Sequence, residues 1–188
     1  PNVRYEAVTN DGQAVAVERE IAFIHLALEA SGRADLGLLA GRGHRFPVFG
    51  FWGLALAASP TLASAIRLGL QYVDLTHTFL RWRFERTAPE AALVMQAGAP
   101  LGELETFLVE RDAAAAATLL EDLTGRRRGL AGAEFAYPAP AWADRYTAVF
   151  GCVPAFGAAR HALRLSATLL DQPLPGGVPV MCGMSLIP

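Results

Sequence analysis

Four histidines, two cysteines and a scatter of carboxylates are the residues of this 188-residue chain whose types could do chemistry. His25, His44, His77 and His161 stand far apart, without HxxxH, HxH or CxxC spacing, so no metal site is assigned. No G-x-S-x-G elbow surrounds Ser59, Ser64, Ser166 or Ser185. Cys152 follows Gly151 at the end of an expected helix, where the dipole disfavours a thiolate, and it reads as a buried structural cysteine. Its one candidate partner for nucleophilic chemistry is His161, near it in sequence across an expected hairpin. Gly41-Arg42-Gly43-His44-Arg45 lacks both the Walker A and the G-x-G-x-x-G patterns and reads as flexible loop, an anion site being the alternative. Glu103, Glu105, Glu110 and Asp112 read as a solvated helix face, with no pair fenced by apolar neighbours as a raised-pKa acid would be. Arg126-Arg127-Arg128 opposes the partial negative charge at the end of the same helix and needs no partner.

The aromatic residues are the more promising material. Phe49, Phe51, Trp52, Tyr72, Trp82, Phe84, Tyr137, Trp142 and Tyr146 mostly fall at inward positions and build core. A pocket for an organic ligand uses the same residue types with a few polar groups among them. Phe49, Phe51, Trp52, Tyr72, His77, Arg81, Trp82 and Phe84 are therefore the candidate ligand-binding set, with Tyr72, His77 and Arg81 as its polar members. The pocket is expected between a helix at Phe49–Ala58 and the sheet face carrying Trp82; Arg81 or His77 turned inward would suit a carboxylate-bearing ligand. Neither a catalytic group nor a cofactor is assigned. Two other classes stay open: a small enzyme with an apolar pocket using Cys152 or a carboxylate, and an interaction domain without a small ligand.

The elements that must position these residues follow from periodicity. Hydrophobic residues make up 53% of the chain and charged ones 18%, which excludes a disordered chain and allows a sizeable core. All 16 basic residues are arginine, and a net charge of −2 leaves no basic field for nucleic acid. Cys152 and Cys182 fit a reducing cytoplasm, although one disulfide stays open. The chain opens on proline without a signal peptide and reads as a fragment or processed chain. Val17, Ile21, Ile24 and Leu28 recur at helical spacing; Gly37–Pro47 reads as loop. Phe46–Ile66 is uncharged over 21 residues, but Ser59-Pro60-Thr61 interrupts it. It reads as two short buried helices rather than a membrane span, the second capped by Ser59 with Pro60 at its first position.

Leu80, Trp82 and Phe84 then alternate with Arg81, Arg83 and Glu85, and Ala88-Pro89-Glu90 turns this strand into a second at Ala91–Ala97. Glu103–Thr124 is the longest helix, closed by Gly125. Its Ala113–Ala117 run suits either a dimer contact or packing on its own sheet. A strand at Ala133–Tyr137, a helix with Trp142, Tyr146, Val149 and Phe150 inward, and a hairpin of Val153–Phe156 with His161–Thr168 complete the order. N-terminal helices followed by a ββαβαββ unit make an α+β fold with a mostly antiparallel sheet.

Two segments resemble one known family. Gly50-Phe51-Trp52-Gly53 followed by Ser59-Pro60-Thr61-Leu62, Ala65 and Arg67 is similar to the GxxGxxxxxSPTLxxAxR block of AraC-type transcription regulators, in their N-terminal arabinose-binding-like domain. Phe150-Gly151-Cys152-Val153-Pro154-Ala155-Phe156 and Leu169-Leu170-Asp171-Gln172-Pro173-Leu174-Pro175 resemble that domain's closing motif. The resemblance spans Val17 to Pro175 and implies a bacterial, cytoplasmic sensor of a small organic effector that forms a homodimer. It also implies DNA binding only through a C-terminal helix-turn-helix domain, which this chain lacks, and no membrane partner. On that basis residues 1–175 form the sensing and dimerisation domain, and residues 176–188 a linker or non-native tail. Effectors differ within the family, so no ligand identity is implied.

Overall fold

Alternation of apolar and charged residues along 80–85 requires one wet and one dry face, and β3 (Leu80–Thr87) supplies them. In the computed structural model, which describes residues 6–8, 14–76, 78–98, 100–127 and 129–178, this strand forms a hairpin with β4 (Glu90–Ala97). Leu80 pairs with Ala97 and Thr87 with Glu90, as the turn at Ala88-Pro89 predicts. The sheet runs β3-β4-β7-β5-β6, where β5 is Leu130–Phe135, β6 Ala155–Phe156 and β7 His161–Ser166. One pairing differs from expectation. β6 and β7 do not form a hairpin: β7 lies antiparallel between β4 and β5, and β6 runs parallel to β5 at the edge. Leu163 and Leu165 are fully buried on the inner face of β7, while Ala162, Arg164 and Ser166 share its other face, where Arg164 pairs with Glu90 of β4. A small separate strand pair, β1 (Glu6–Val8) with β2 (Ala14–Ala16), precedes α1 (Val17–Ser31).

The 20-residue helix α5 (Glu105–Thr124) crosses the inner face of the sheet and is the centre of the core. Its Val109, Ala113, Ala117, Leu120 and Leu123 share one buried cluster with Leu93, Met95, Phe135, Leu163 and Leu165 of the strands. The segment expected as a loop from Gly37 is instead helix α2 (Leu36–Gly43), packed against α5. Its glycines serve close approach rather than flexibility. A Cβ on Gly37 would stand 2.6 Å from the Phe107 carbonyl oxygen, and one on Gly41 would stand 2.2 Å from that of Arg111. Between α2 and the sheet, Ala113, Ala114 and Ala117 of α5 are buried within the chain, while Ala115 and Ala116 are half-buried.

The uncharged stretch after Phe46 breaks as its Ser-Pro-Thr requires, into α3 (Gly50–Ala57) and α4 (Leu62–Gln71). No helix among the described residues is long and apolar enough to cross a membrane. The cap of α4 falls two residues later than expected. The Thr61 hydroxyl accepts the Ser64 N–H while the Ser64 hydroxyl accepts the Thr61 N–H, a reciprocal capping box. Ser59 instead donates its hydroxyl to Ala55 O at the end of α3. Ile21, Ile24 and Leu28 of α1 pack on Leu104 and Leu108, as their spacing predicts. After α6 (Asp144–Phe150), β7 and a short α7 (Ala167–Leu170), the chain returns to the α3–α4 corner. There Leu174 donates its backbone N–H to Pro60 O and Val178 its own to Ala58 O.

Candidate functional site

Where α3 and α4 lean over the inner face of the β3–β4 hairpin beside α5, the packing does not close. Gly69 on α4 and Ala115 and Ala116 on α5 are too short to fill the space, and a cavity of about 130 Å³ is left. A Cβ on Gly69 would already stand 3.3 Å from Cζ2 of Trp52, so the glycine makes room for the indole. Phe49, Trp52 and Leu56 wall one side, Ile66, Leu70 and Val73 another, Trp82 and Leu93 the sheet side, and Leu119, Leu120 and Leu123 the helix side. For scale, an apolar cavity of about 150 Å³ holds one benzene ring.

Polar groups gather at one end and satisfy one another. Asp112 Oδ1 accepts the Arg111 Nε–H at 2.8 Å, and Asp112 Oδ2 accepts the Thr78 hydroxyl at 2.5 Å. The Thr78 oxygen in turn accepts the Trp82 indole N–H at 3.2 Å and the Leu80 backbone N–H at 3.0 Å. Arg111 also reaches Glu20 at 3.5 Å and lies over the Phe79 ring, 5.6 Å from its centroid. His44, on the opposite wall, places Nδ1 2.7 Å from Ala40 O, which sets the proton on that nitrogen. One wall group is left over. The indole N–H of Trp52 is buried and meets no acceptor among the described residues.

Of the eight residues proposed from sequence, Phe49, Trp52 and Trp82 meet at this cavity. Phe51, a neighbour of Trp52 in sequence, points the other way and is 92% exposed. Tyr72 and Arg81 are exposed as well, and Phe84 packs into the core outside the cavity. His77 lies outside the described residues. Period-two and period-3.6 patterns do assign faces, but α3 is apolar nearly all round, so no pattern separates Phe51 from Trp52. Thr78 and Arg111 escaped the sequence reading, and Asp112, expected on a solvated helix face, is instead buried; a charged pair in mid-helix carries no signal of its burial.

A second polar cluster lies on the α2 side of α5. Glu110 is fully buried, a correction to the solvated helix face expected for it, because α2 and α6 cover that side. Its Oε1 accepts the Trp142 indole N–H at 2.7 Å and the Tyr146 hydroxyl, which also bonds the Tyr137 hydroxyl at 3.1 Å, and the Leu38 backbone N–H approaches the same carboxyl. Burial pushes the carboxyl from 4.5 up to about 7, against the opposing hydrogen bonds from Tyr146 and Trp142. Nearby Asp35 feels burial too, but hydrogen bonds from Arg33 and Arg145 win and hold it below the usual carboxylate range. Cys152 is half-buried, and burial raises its thiol pKa. His161 does not pair with it: Nδ1 accepts the Ala136 backbone N–H at 3.1 Å, and Nε2 lies 3.5 Å from Glu105. Among the described residues, no three His, Cys, Asp or Glu side chains gather as metal ligands would.

The fold is thus an α+β domain that encloses an apolar, ring-sized cavity. The family described as the arabinose-binding domain of AraC transcription regulators, N-terminal, matches residues 2–174, and the chain belongs to that family. It is 29% identical over 145 residues to the ornithine utilization regulator of Pseudomonas aeruginosa, covering 76% of this chain and 42% of that protein. Its fold matches the crystal structure of the transcriptional regulator CdpR from Pseudomonas aeruginosa with a TM-score of 0.70. That match has 20% identity and covers 84% of this chain and 51% of CdpR. The chain thus spans about half the length of the regulators it matches.

Proposed function

We propose that this chain is the sensing part of an AraC-type regulator, and that the cavity between Trp52 and Trp82 holds its effector. The observation that carries this reading is the cavity itself: an apolar space bounded by four elements, in a domain whose family is effector-binding. A route to the rest of a regulator is built into the same corner. α3 and α4 form the cavity wall, and the segment after α7 is tied to their junction through Leu174 to Pro60 O and Val178 to Ala58 O. An occupant that shifts Trp52 therefore moves the point from which the chain leaves. It changes DNA affinity only as far as it binds one arrangement better than the other. Homodimer formation and DNA contact through a helix-turn-helix domain beyond this chain belong to the same reading, as does action in the cytoplasm. With α5 buried in its own fold, a dimer would form through another surface.

One regulator similar in sequence takes its name from ornithine utilization, which supports a metabolite as the class of effector here. The test is a thermal-shift screen of metabolites against the wild-type chain and Ala116→Leu, which fills the cavity from α5. The account expects hits that stabilise the wild type and not the variant. Hits that stabilise both equally would place binding elsewhere.

A further inference from the structure

Taking the chain as the homodimeric sensor proposed above, we infer that its two copies meet through the outer face of α3. Phe51, Leu54, Ala55 and Ala58 recur three or four residues apart and all are exposed, so they form one apolar stripe along the helix. Val48, one turn earlier, is exposed as well. A surface helix ordinarily turns charged side chains to water. α3 has none to turn, because no charged residue occurs from Phe46 to Ile66. α1 makes the contrast: its exposed Phe23 and Leu26 share a stripe with exposed Arg19 and Glu29, which keep that face in water. An exposed aromatic at the head of an uncharged apolar stripe marks an interaction surface.

Charge and the course of the chain select a second copy as the occupant. An uncharged stripe matches itself: a two-fold axis across α3 lays Phe51 and Leu54 of each copy on the other and apposes no like charges. The last described residue lies at the end of the same helix, where Val178 donates its N–H to Ala58 O. α3 is about 12 Å long and packed helices lie about 9 Å apart, so antiparallel copies hold these two points roughly 15 Å apart. From there the parts that follow in a regulator reach half-sites one turn of DNA apart, about 34 Å. The stripe is small, one phenylalanine of about 150–250 Å² with shorter side chains around it, below the roughly 800 Å² per partner of a standard interface. The dimer is therefore weak, with a Kd on the order of tens of micromolar, and dissociates in the dilute protein of an unfolding experiment. On the inner side of the same helix Trp52 and Leu56 wall the cavity, so an occupant there acts on the helix that the copies share.

Sedimentation equilibrium of the 188-residue chain tests this, run from about 5 µM to about 500 µM to bracket that Kd. The wild type should pass from monomer to dimer over the range. Phe51→Glu places a charge inside the contact, yet in the first turn of α3, where the helix dipole favours it. It should weaken association by roughly tenfold or more while the circular dichroism spectrum stays unchanged. Leu54→Gln, which adds no charge, should weaken it too, and Phe23→Glu on α1 should dimerise as the wild type does. A wild type that stays monomeric at the highest concentration would overturn the second copy as occupant and leave the stripe to a part of a longer protein. A dimer that survives Phe51→Glu and Leu54→Gln, or that Phe23→Glu dissolves, would overturn α3 as the interface. None of these readouts depends on a ligand. The cavity is tested apart from them by titration with toluene and benzonitrile, single rings suited to its volume of about 130 Å³, which a monomer can bind as well as a dimer.

Discussion

Replacing Glu110 with glutamine should remove a pH dependence of stability that the wild-type chain carries. Burial holds the folded carboxyl protonated up to about 7, whereas the unfolded one ionises near 4.5. Below 4.5 the group is protonated in both states and costs nothing. As pH rises, the unfolded chain gives up its proton first and is stabilised, so folding stability falls until the folded carboxyl ionises too. The span from 4.5 to about 7 corresponds to roughly 3 kcal/mol lost between those limits. Other groups run the opposite way. The buried His161 has its pKa lowered by desolvation and Asp35 is held low by Arg33 and Arg145, so both favour the folded state as pH rises. The informative quantity is therefore the difference between wild type and Glu110→Gln. Glutamine keeps an acceptor for Trp142 and Tyr146 but cannot ionise. Urea unfolding followed by circular dichroism should show the variant gaining about 3 kcal/mol on the wild type between pH 4.5 and about 8. A difference that stays constant over that interval would refute the argument that Glu110 is neutral inside the fold.

Three further outcomes follow from contacts already described. Gly41→Ala drives a methyl into the Arg111 carbonyl of α5 and should cost about 3 kcal/mol, read as a lowered urea midpoint. Thr61→Ala removes half of the capping box of α4 and should cost about 1 kcal/mol in the same assay, with the largest loss of amide-exchange protection in that helix. Phe51→Ala, by contrast, changes a side chain that is 92% exposed; stability should stay within about 0.5 kcal/mol and toluene binding should not change.

The hairpin of β3 and β4 could be read directly, because alternation at 80–85 and a Pro-containing turn leave one register. α5 was equally plain from its length and its Gly125 stop, but its environment was not. The stripe of Leu108, Leu119 and Leu123 suggests one buried face, whereas α2 covers a second, and Glu110 and Asp112 lie beneath partners that no local pattern announces. α2 itself is hidden by its composition: Gly37, Gly41 and Gly43 read as loop by propensity, and only contact with α5 turns two of them into packing residues. The place of β7 between β4 and β5 is likewise a tertiary choice, which the alternation along the strand itself does not announce. For the cavity, the aromatic density around Trp52 and Trp82 marked its walls. Its existence depends on what is missing, the side-chain volume at Gly69, Ala115 and Ala116, which sequence periodicity does not weigh.

The central claim is that a ligand enters between Trp52 and Trp82, and the three tryptophans of the chain allow a direct test. Trp52 and Trp82 stand in the cavity wall, while Trp142 is bonded to Glu110 on the other side of α5. In isotope-edited NMR each indole N–H gives its own resonance. On titration with benzonitrile, those of Trp52 and Trp82 should move together to saturation while that of Trp142 stays in place. Movement of Trp142 alone, or no movement of Trp52 and Trp82 at saturating benzonitrile, would contradict the account.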